Sequence, residues 1–222
     1  LLNGRADGAL LLVDPQARWF DIPTLNAMGL PPIVAVSEVG PKSGSVSVSI
    51  DNEAAAHAAT RHLIDLGHRR IAHVTGPASN ILTAERLSGY RRALQEAGLE
   101  SDPTLEFPGD FSLKSGRAAF DHYTAMADRP TGLFFANDEM AMGFLSTAYQ
   151  AGVRVPRDLS IIGFDDIHFA QSCIPALTTI HQPRAEMGVA AMRLLLSIIA
   201  GEAPGPVRLP YELVIRDSTA PV

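Results

Sequence analysis

The stretch Leu159–Glu186, LSIIGFDDIHFAQSCIPALTTIHQPRAE, decides the fold because it places a short apolar run directly before two adjacent carboxylates. The run, Ser160–Phe164, is typical of an interior strand in a parallel sheet. Asp165 and Asp166 follow it, at the point where the carboxyl end of such a strand opens onto a crevice. Open parallel α/β sheets bind their ligands at this edge. The stretch therefore predicts an α/β protein that binds a small ligand.

The composition indicates a globular protein without a nucleic-acid-binding surface among these residues. The 222 residues are enough for one large domain or two small lobes, and 46% are hydrophobic whereas 19% are charged. The net charge of −6 argues against a surface that neutralises phosphates. The single cysteine, Cys173, is typical of a reducing compartment, so we expect a cytoplasmic protein. No apolar run approaches the roughly 20 residues that span a bilayer, so we expect no membrane partner.

Strand and helix patterns alternate through the chain, as in parallel sheets with crossover helices. The clearest predicted helices are Asn52–Leu66 and Thr83–Ala97, each followed by a glycine, and Thr83 can cap the second. The predicted strands are Ala9–Val13, Ile33–Ser37, Arg70–Thr75, Leu105–Pro108, Leu133–Ala136, Ser160–Phe164 and Glu212–Arg216.

Three further segments have patterns of their own. Ser45–Asp51, SVSVSID, alternates strictly and suits an extended strand that carries the chain from one lobe to another. Thr178–Pro183 would carry it back. Ala200–Pro210, rich in glycine and proline, is predicted to be a loop.

Motifs spread along the chain resemble the lactose/galactose repressor family of bacterial transcription regulators. They are RADGALLL from Arg5, HLIDLGHRRIAHVTGP from His62, ERLSGYRRAL from Glu85, FFANDEMAMG from Phe134, GFDD from Gly163 with PALTTIHQP from Pro175, and ELVIRDST from Glu212. Because they occur in the family's order and spacing over nearly all of the residues, the chain is identified as a member of that family.

The resemblance implies a two-lobed, periplasmic-binding-protein-like α/β fold, in which each lobe is a parallel sheet flanked by helices and the ligand cleft lies between the lobes. We expect the N-terminal lobe to comprise residues 1–50 and 181–209, and the C-terminal lobe residues 51–180 and 210–222. A first lobe of this size has too few strands to bury its own core. The resemblance accordingly implies that about two βα units, and before them a helix-turn-helix DNA-binding domain, precede Leu1.

The loop after the predicted strand Arg70–Thr75 and the helix that follows it carry three candidate effector-binding residues. Arg86 would lie in the first turn of the following helix, where the helix dipole disfavours a cation, which suggests another duty. The resemblance implies that Arg86 binds polar or anionic effector atoms, and the alternative is a salt bridge to a neighbouring carboxylate. Asn80 and Leu82 fall where family members vary the residue with the effector, although Asn80 could equally be an ordinary turn residue.

Three more candidates follow other strands of the same lobe. By resemblance, Phe111 would stack on the effector, Asn137 would present its amide to it, and Asp165 would accept hydrogen bonds from its hydroxyls or amines. The alternative for Phe111 is a place in the core. We predict that Asp138 caps a helix and that Asp166 caps or pairs locally.

Metal binding and catalysis are not indicated. His57, His62, His68 and His73 lack the spacing of metal ligands and are predicted to be structural, and neither a GxSxG elbow nor a P-loop is present. We therefore expect no cofactor, no metal and no enzymatic activity.

These features predict the effector-binding core of a ligand-responsive transcriptional regulator, most simply a repressor. The effector would be a sugar or a nucleoside, and Leu82 makes a purine base less attractive. Operator DNA would be bound by the helix-turn-helix domain, and the family's homodimer could use Ile167, Phe169 and Ala170. The alternatives are a periplasmic sugar-binding protein that serves a transporter and a small-molecule enzyme, for which no catalytic group can be assembled.

Overall fold

The computed structural model describes residues 6–12, 30–37 and 46–222, which divide into two compact units. The smaller unit contains the described residues before Asn52, together with Ser79–Ile81 and Pro183–Pro210. The larger unit contains Asn52–Ala78, Leu82–Gln182 and Tyr211–Val222. Each unit is thus built from several segments of the chain.

Both units are built from strands and helices that alternate along the sequence. In chain order the described strands are β1 (Ala9–Leu12), β2 (Ile33–Val36), β3 (Ser47–Ser49), β4 (Ile71–Val74), β5 (Glu106–Phe107), β6 (Gly132–Phe135), β7 (Ser160–Asp165), β8 (Thr178–His181), β9 (Val207–Arg208) and β10 (Glu212–Val214). The described α-helices are α1 (Asn52–Asp65), α2 (Ile81–Glu96), α3 (Leu113–Ala125), α4 (Asp138–Gln150) and α5 (Arg184–Ile199). None of them is both long and apolar enough to cross a membrane.

The smaller unit contains a four-stranded sheet in the order β1-β2-β3-β9, and every pair in it is parallel. Helix α5 packs against β1, β2 and β3. Strand β9 lies inside Ala200–Pro210, so the prediction of a loop throughout that segment is wrong. Val207 pairs there with Val48, and a two-residue strand of this kind forms through its neighbour rather than through a pattern of its own.

The larger unit contains a six-stranded sheet in the order β10-β8-β7-β6-β4-β5. All neighbours are parallel except β10, which runs antiparallel to β8. The interior strands β4, β6 and β7 are buried almost throughout because both of their faces are covered, which explains their nearly continuous apolar sequence. The predicted parallel α/β architecture is therefore confirmed.

Successive residues of β6 show how the two faces of this sheet are filled. Leu133 and Phe135 belong to the main core, where α3 and α4 contribute Phe120 and Phe144. Phe134 points to the other face and stacks on the His73 ring at 4.6 Å between centroids. Both faces of the larger sheet are therefore cores, which leaves its carboxyl edge for polar side chains.

Helix α2 begins two residues earlier than its sequence predicts. Thr83 is the third residue of the helix rather than its N-cap, and its buried hydroxyl has no hydrogen-bond partner among the described residues. Arg86 therefore lies in the second turn and not in the first. The argument from the helix dipole does not apply to Arg86, since that effect is confined to the first turn.

Candidate functional site

The order of strands in the larger sheet brings four of the predicted site residues to one edge. Strands β5, β4, β6 and β7 are neighbours in the sheet, and their carboxyl ends lead to Phe111, Arg86, Asn137 and Asp165 respectively. The edge therefore combines a ring, a cation, an amide and a carboxylate. Such a set can bind a molecule that carries hydroxyl or amine groups and one apolar face.

Arg86 is almost completely buried and joins three elements of the larger unit. Its Nε and Nη2 donate to the Asn52 Oδ1 at 3.2 and 3.0 Å, and its Nη1 donates to the carbonyl oxygen of Ala136 at 2.5 Å. Its guanidinium carbon lies 3.7 Å from the centre of the Phe164 ring, a cation–π contact. Arg86 therefore places a positive charge at the ends of β6 and β7 in a fixed orientation.

The Asn137 side chain uses both its amide oxygen and its amide nitrogen in hydrogen bonds to the backbone. Its Oδ1 accepts from the backbone N–H of Met140 at 3.0 Å, which makes Asn137 the N-cap of α4, and its Nδ2 donates to the carbonyl oxygen of Phe111 at 2.8 Å. The residue fixes the loop after β5 relative to the start of α4. These bonds give Asn137 a positioning role in the site, whereas its predicted contact with an effector stays a prediction.

Phe111 has an unusual backbone and a tightly packed ring. Its φ is 68°, in the left-handed region, and the Asn137 amide holds its carbonyl oxygen. A Cβ on Gly76 would overlap the Phe111 ring, so glycine at the end of β4 is what allows the ring to lie there. The side chain also packs partly against the main core. Phe111 therefore combines the core role with the position expected of a stacking wall.

Asp165 ends β7 in a strained conformation. Its φ is 119°, a value that residues other than glycine rarely adopt, and the φ of Asp166 is 52°. The Asp165 Oδ1 accepts from Gln182 Nε2 at 2.5 Å. Strained residues persist only where their surroundings fix them, and they cluster at functional sites. The geometry therefore agrees with a binding role for the Asp165 carboxylate.

Asp166 forms a local pair network, as its position predicts. Its Oδ1 accepts from Arg216 Nη2 at 2.7 Å, and its Oδ2 contacts His181 Nδ1 at 2.9 Å. The hydrogen bonds described for Asp166 go to different partners from the one described for Asp165. No cluster of three or more potential metal ligands is found in the part of the chain that the structure describes.

Asp138 does not cap α4, so that prediction is wrong. It is the first residue of the helix and completely buried, and its Oδ1 and Oδ2 accept from the Thr179 hydroxyl at 2.5 Å and from the backbone N–H of Ile167 at 2.8 Å. Burial raises the pKa of Asp138 to about 7, the Asp165 charge adds to this, and the bond from Thr179 opposes it. The sequence-based prediction gave Asp138 the capping role that Asn137 has in the structure.

The remaining predicted site residues lie around the start of α2. Leu82 is its second residue and is buried. Asn80 directly precedes the helix, is also buried, and belongs to the smaller unit. Leu82 thus lies close in sequence to Arg86, and the predicted effector contacts of Leu82 and Asn80 stay predictions.

The histidines have structural partners. His57 contacts Glu96 at 2.8 Å, His62 contacts Thr219, and His68 contacts Thr131 and Ala220. His73 contacts the carbonyl oxygen of Phe134, and burial lowers its pKa to about 4. These neutral or paired rings agree with the structural role predicted for them.

With this geometry, the chain can be compared with known proteins. Residues 60–219 match the family described as the periplasmic binding protein-like domain. A solved LacI family transcriptional regulator from Mycobacterium smegmatis has 32% sequence identity and a TM-score of 0.88, covering 99% of this chain and 81% of that one. The chain belongs to the LacI family. This is the lactose/galactose repressor family, so both the recognition and the periplasmic-binding-protein-like fold are confirmed.

Two further proteins similar to this chain are transcriptional regulators by name. The HTH-type transcriptional repressor CytR of Escherichia coli (strain K12) is 40% identical over 221 residues, which are 99% of this chain and 64% of that protein. A solved complex of the transcriptional regulator CelR with cellobiose is 38% identical with a TM-score of 0.88, covering 98% of this chain and 67% of that one. The chain thus spans about two-thirds of the length of these two relatives.

Three residues important to the edge were not singled out from the sequence. Asn52 holds Arg86, Gln182 holds Asp165, and Gly163 leaves room for the Asp138 carboxyl, which a Cβ at that position would overlap. Gly163 and Gln182 lie within quoted motifs, GFDD and IHQP, which were the available signal. Asn52 lies 34 residues before Arg86, and no local pattern links them.

Proposed function

We propose that this LacI family chain is the effector-binding core of a ligand-responsive transcriptional repressor. The observation that carries the proposal is the convergence of Arg86, Phe111 and Asp165 on one sheet edge, in a chain that is 40% identical to an HTH-type repressor. The similar proteins are named as transcriptional regulators, which favours this function over delivery of a sugar to a transporter and over catalysis.

The chemistry of the edge favours a sugar or a nucleoside as the effector. The Asp165 carboxylate accepts hydrogen bonds from hydroxyl or amine groups, and the fixed Arg86 guanidinium donates to oxygen atoms. The Phe111 ring provides a face against which a sugar or a base packs. Leu82, the second residue of the helix that carries Arg86, adds an apolar contact. The cellobiose complex of a relative supports the sugar class.

Regulation would follow from unequal affinity of the effector for two states of the protein. Binding shifts their populations by as much as the two affinities differ, and operator affinity changes with the populations. The partners of the whole protein are then operator DNA, bound by a helix-turn-helix domain like that named for the relatives, and a second copy of the chain. A protein that binds operator DNA would act in the cytoplasm.

The test is thermal unfolding of the full chain with a panel of monosaccharides, cellobiose, nucleosides and purines. A specific effector at about 100 times its dissociation constant stabilises the folded state by about 2.7 kcal/mol. We expect such a shift from one sugar or nucleoside, and an affinity about tenfold or more weaker in Asp165→Asn, because the variant loses charge-assisted hydrogen bonds.

The control for this experiment is Asp121→Asn, which removes an exposed carboxylate on α3. It should bind the effector as the wild type does. If Asp165→Asn binds equally well, the edge is not the effector site. If no sugar or nucleoside stabilises a folded wild type, the effector class is wrong.

A further inference from the structure

The buried Asp138 carboxyl joins two parts of the larger unit that are distant in sequence. Its hydrogen bonds reach Thr179 in β8 and the backbone of Ile167 after β7, and both donors are neutral. Neither bond helps to cap α4, which Asn137 does. A buried carboxylate destabilises the fold unless its hydrogen bonds offset the hydration that it loses. We therefore expect a role of the Asp138 carboxyl other than helix formation.

That role is suggested by which amide Asp138 binds. Ile167 carries the first backbone N–H after Asp165 and Asp166, the two adjacent residues with positive φ. A turn strained in this way keeps its shape only if both of its ends are held. The hydrogen bond between Gln182 and Asp165 fixes the start, and the bond between Ile167 and Asp138 fixes the end.

The sheet makes room for this carboxyl at one specific place. A Cβ on Gly163 would overlap the Asp138 Oδ1, so the glycine in β7 allows the carboxyl to lie directly over the strand that ends in Asp165. Glycine weakens a strand interior by roughly 0.5–1 kcal/mol, and its presence here is explained by the close approach of the carboxyl. The strand and the buried carboxyl fit one another.

We propose that Asp138 is a positioning residue for the effector site: by holding the Ile167 amide, it fixes the strained turn that presents the Asp165 carboxylate to the effector. This inference rests on the proposed function, because it assigns Asp165 to effector binding. It concerns a residue that does not itself reach the effector, since Asp138 is completely buried beneath the edge.

We call the hydrogen bond from the Ile167 amide to the Asp138 carboxyl the tether. The ionisable groups around Asp138 determine how the tether responds to pH. Asp165 and Asp166 face it from the end of β7, and Cys173 faces it from beyond the following 3₁₀-helix, His168–Ser172. Arg216 and His181 approach through their contacts with Asp166. The anion can accept both bonds fully, whereas the neutral acid gives up one acceptor site. With a pKa of about 7, Asp138 changes between these forms near neutrality.

The tether itself can be observed without any effector. In full chain labelled with ¹⁵N-isoleucine, the Ile167 amide resonance is assigned by its loss in Ile167→Val. We expect this resonance to titrate with pH in the wild type and to lose that titration in Asp138→Asn, where a neutral amide oxygen takes over the acceptor role. An Ile167 resonance that titrates identically in both proteins, or in neither, overturns the proposal.

The consequence for binding is measured by titration calorimetry with D-ribose, cytidine, adenosine and cellobiose. For whichever of these compounds binds the wild type, we expect Asp138→Ala to weaken binding about tenfold, because a buried amide is left unpaired and the turn is released. Asp138→Asn should restore binding to within about threefold, since its Oδ1 can still accept from Ile167. The matched control, Thr179→Val, removes only the bond to β8 and should also stay within about threefold.

Each outcome separates the tether from the proposed function. Wild-type affinity in a folded Asp138→Ala overturns the positioning role, and so does a loss in Asp138→Asn as large as that in Asp138→Ala. If Asp138→Ala does not fold, the Asn variant and the Ile167 resonance decide. If none of the four compounds binds the wild type, the proposed effector class fails, and the resonance alone decides whether Asp138 holds the turn.

Discussion

Asp138 buries a carboxyl group whose hydrogen-bond donors, the Thr179 hydroxyl and the Ile167 amide, are both neutral. Its pKa in the folded protein, about 7, lies above the ordinary value of 3.8 because burial disfavours the charged form. The folded state therefore holds a proton that the unfolded state has already lost between about pH 4 and pH 7. The stability that this bound proton contributes is fully present below about pH 4 and is lost as the pH rises through about 7.

This sign gives a prediction for Asp138→Asn. Between pH 7 and pH 4 the wild type should gain stability relative to the variant, by about 4 kcal/mol as an upper value from linkage. Urea unfolding at several pH values measures the difference. Asp121→Asn, on the exposed face of α3, is the control and should keep the wild-type pH profile. A constant difference between wild type and Asp138→Asn would contradict the raised pKa.

The neighbouring residues Asn137 and Asp138 show where sequence reasoning stops at this scale. Either side chain can cap a helix, and both follow the same buried strand. Which one caps depends on whether the helix begins at Asp138 or one residue later. It also depends on the Ile167 amide, 29 residues away, which donates to the Asp138 carboxylate. Such a distant hydrogen bond leaves no local pattern, so the exchange of roles could not be seen from the sequence.

At the scale of elements, the buried strands were predicted well and the polar contacts between elements were not. Strands β4, β6 and β7 have both faces covered, and this produces apolar runs that are visible in one sequence. Strand β9 is too short for any period. Arg86 illustrates the limit for the site: the motif drew attention to it, but its anchors Asn52 and Ala136 follow from packing alone.

The contact between α1 and α2 depends on Gly89. A Cβ at this position would overlap the carbonyl oxygen of Glu53 and the backbone nitrogen of His57, neither of which can move independently of α1. Gly89→Ala should therefore lower the free energy of unfolding by about 1–3 kcal/mol, although alanine favours a helix. Denaturant unfolding provides the measurement.

Gly188 in α5 is the matched control for Gly89→Ala. It is also an interior helical glycine, but a Cβ there would meet no atom within 4 Å. Gly188→Ala should raise the free energy of unfolding by about 0.5–1 kcal/mol, the ordinary difference in helix propensity. Equal effects of the two substitutions would show that the close approach of α1 and α2 does not matter.

At the scale of the whole molecule, the proposed homodimer has a defined surface to test. Phe169 is 64% exposed and Ile174 is 92% exposed, whereas Ala170 is completely buried and cannot contact a partner, so the expectation for Ala170 is wrong. We expect Phe169→Glu combined with Ile174→Glu to shift the full chain toward monomer in sedimentation velocity without unfolding it, because charges replace apolar contacts.

Tyr149→Glu is the control for the dimer experiment, since this side chain is 82% exposed on α4. It should leave the sedimentation coefficient unchanged. A dimer that survives the double substitution would place the contact between copies elsewhere on the protein.

The antiparallel strand β10 affects the order in which the chain can fold during synthesis. Thr178–His181 lies beside Glu212–Val214 in the finished sheet, and the buried Ser218 hydroxyl, which accepts from the Thr178 amide and donates to the Ile161 carbonyl, closes the same edge. A ribosome must translate all of Pro183–Pro210 before that neighbour exists. Until then the side of β8 that later pairs with β10 has no neighbouring strand, and this exposed edge can associate with other nascent chains. Rapid translation of this interval, or a chaperone on the β8 edge, should therefore raise the yield of folded protein.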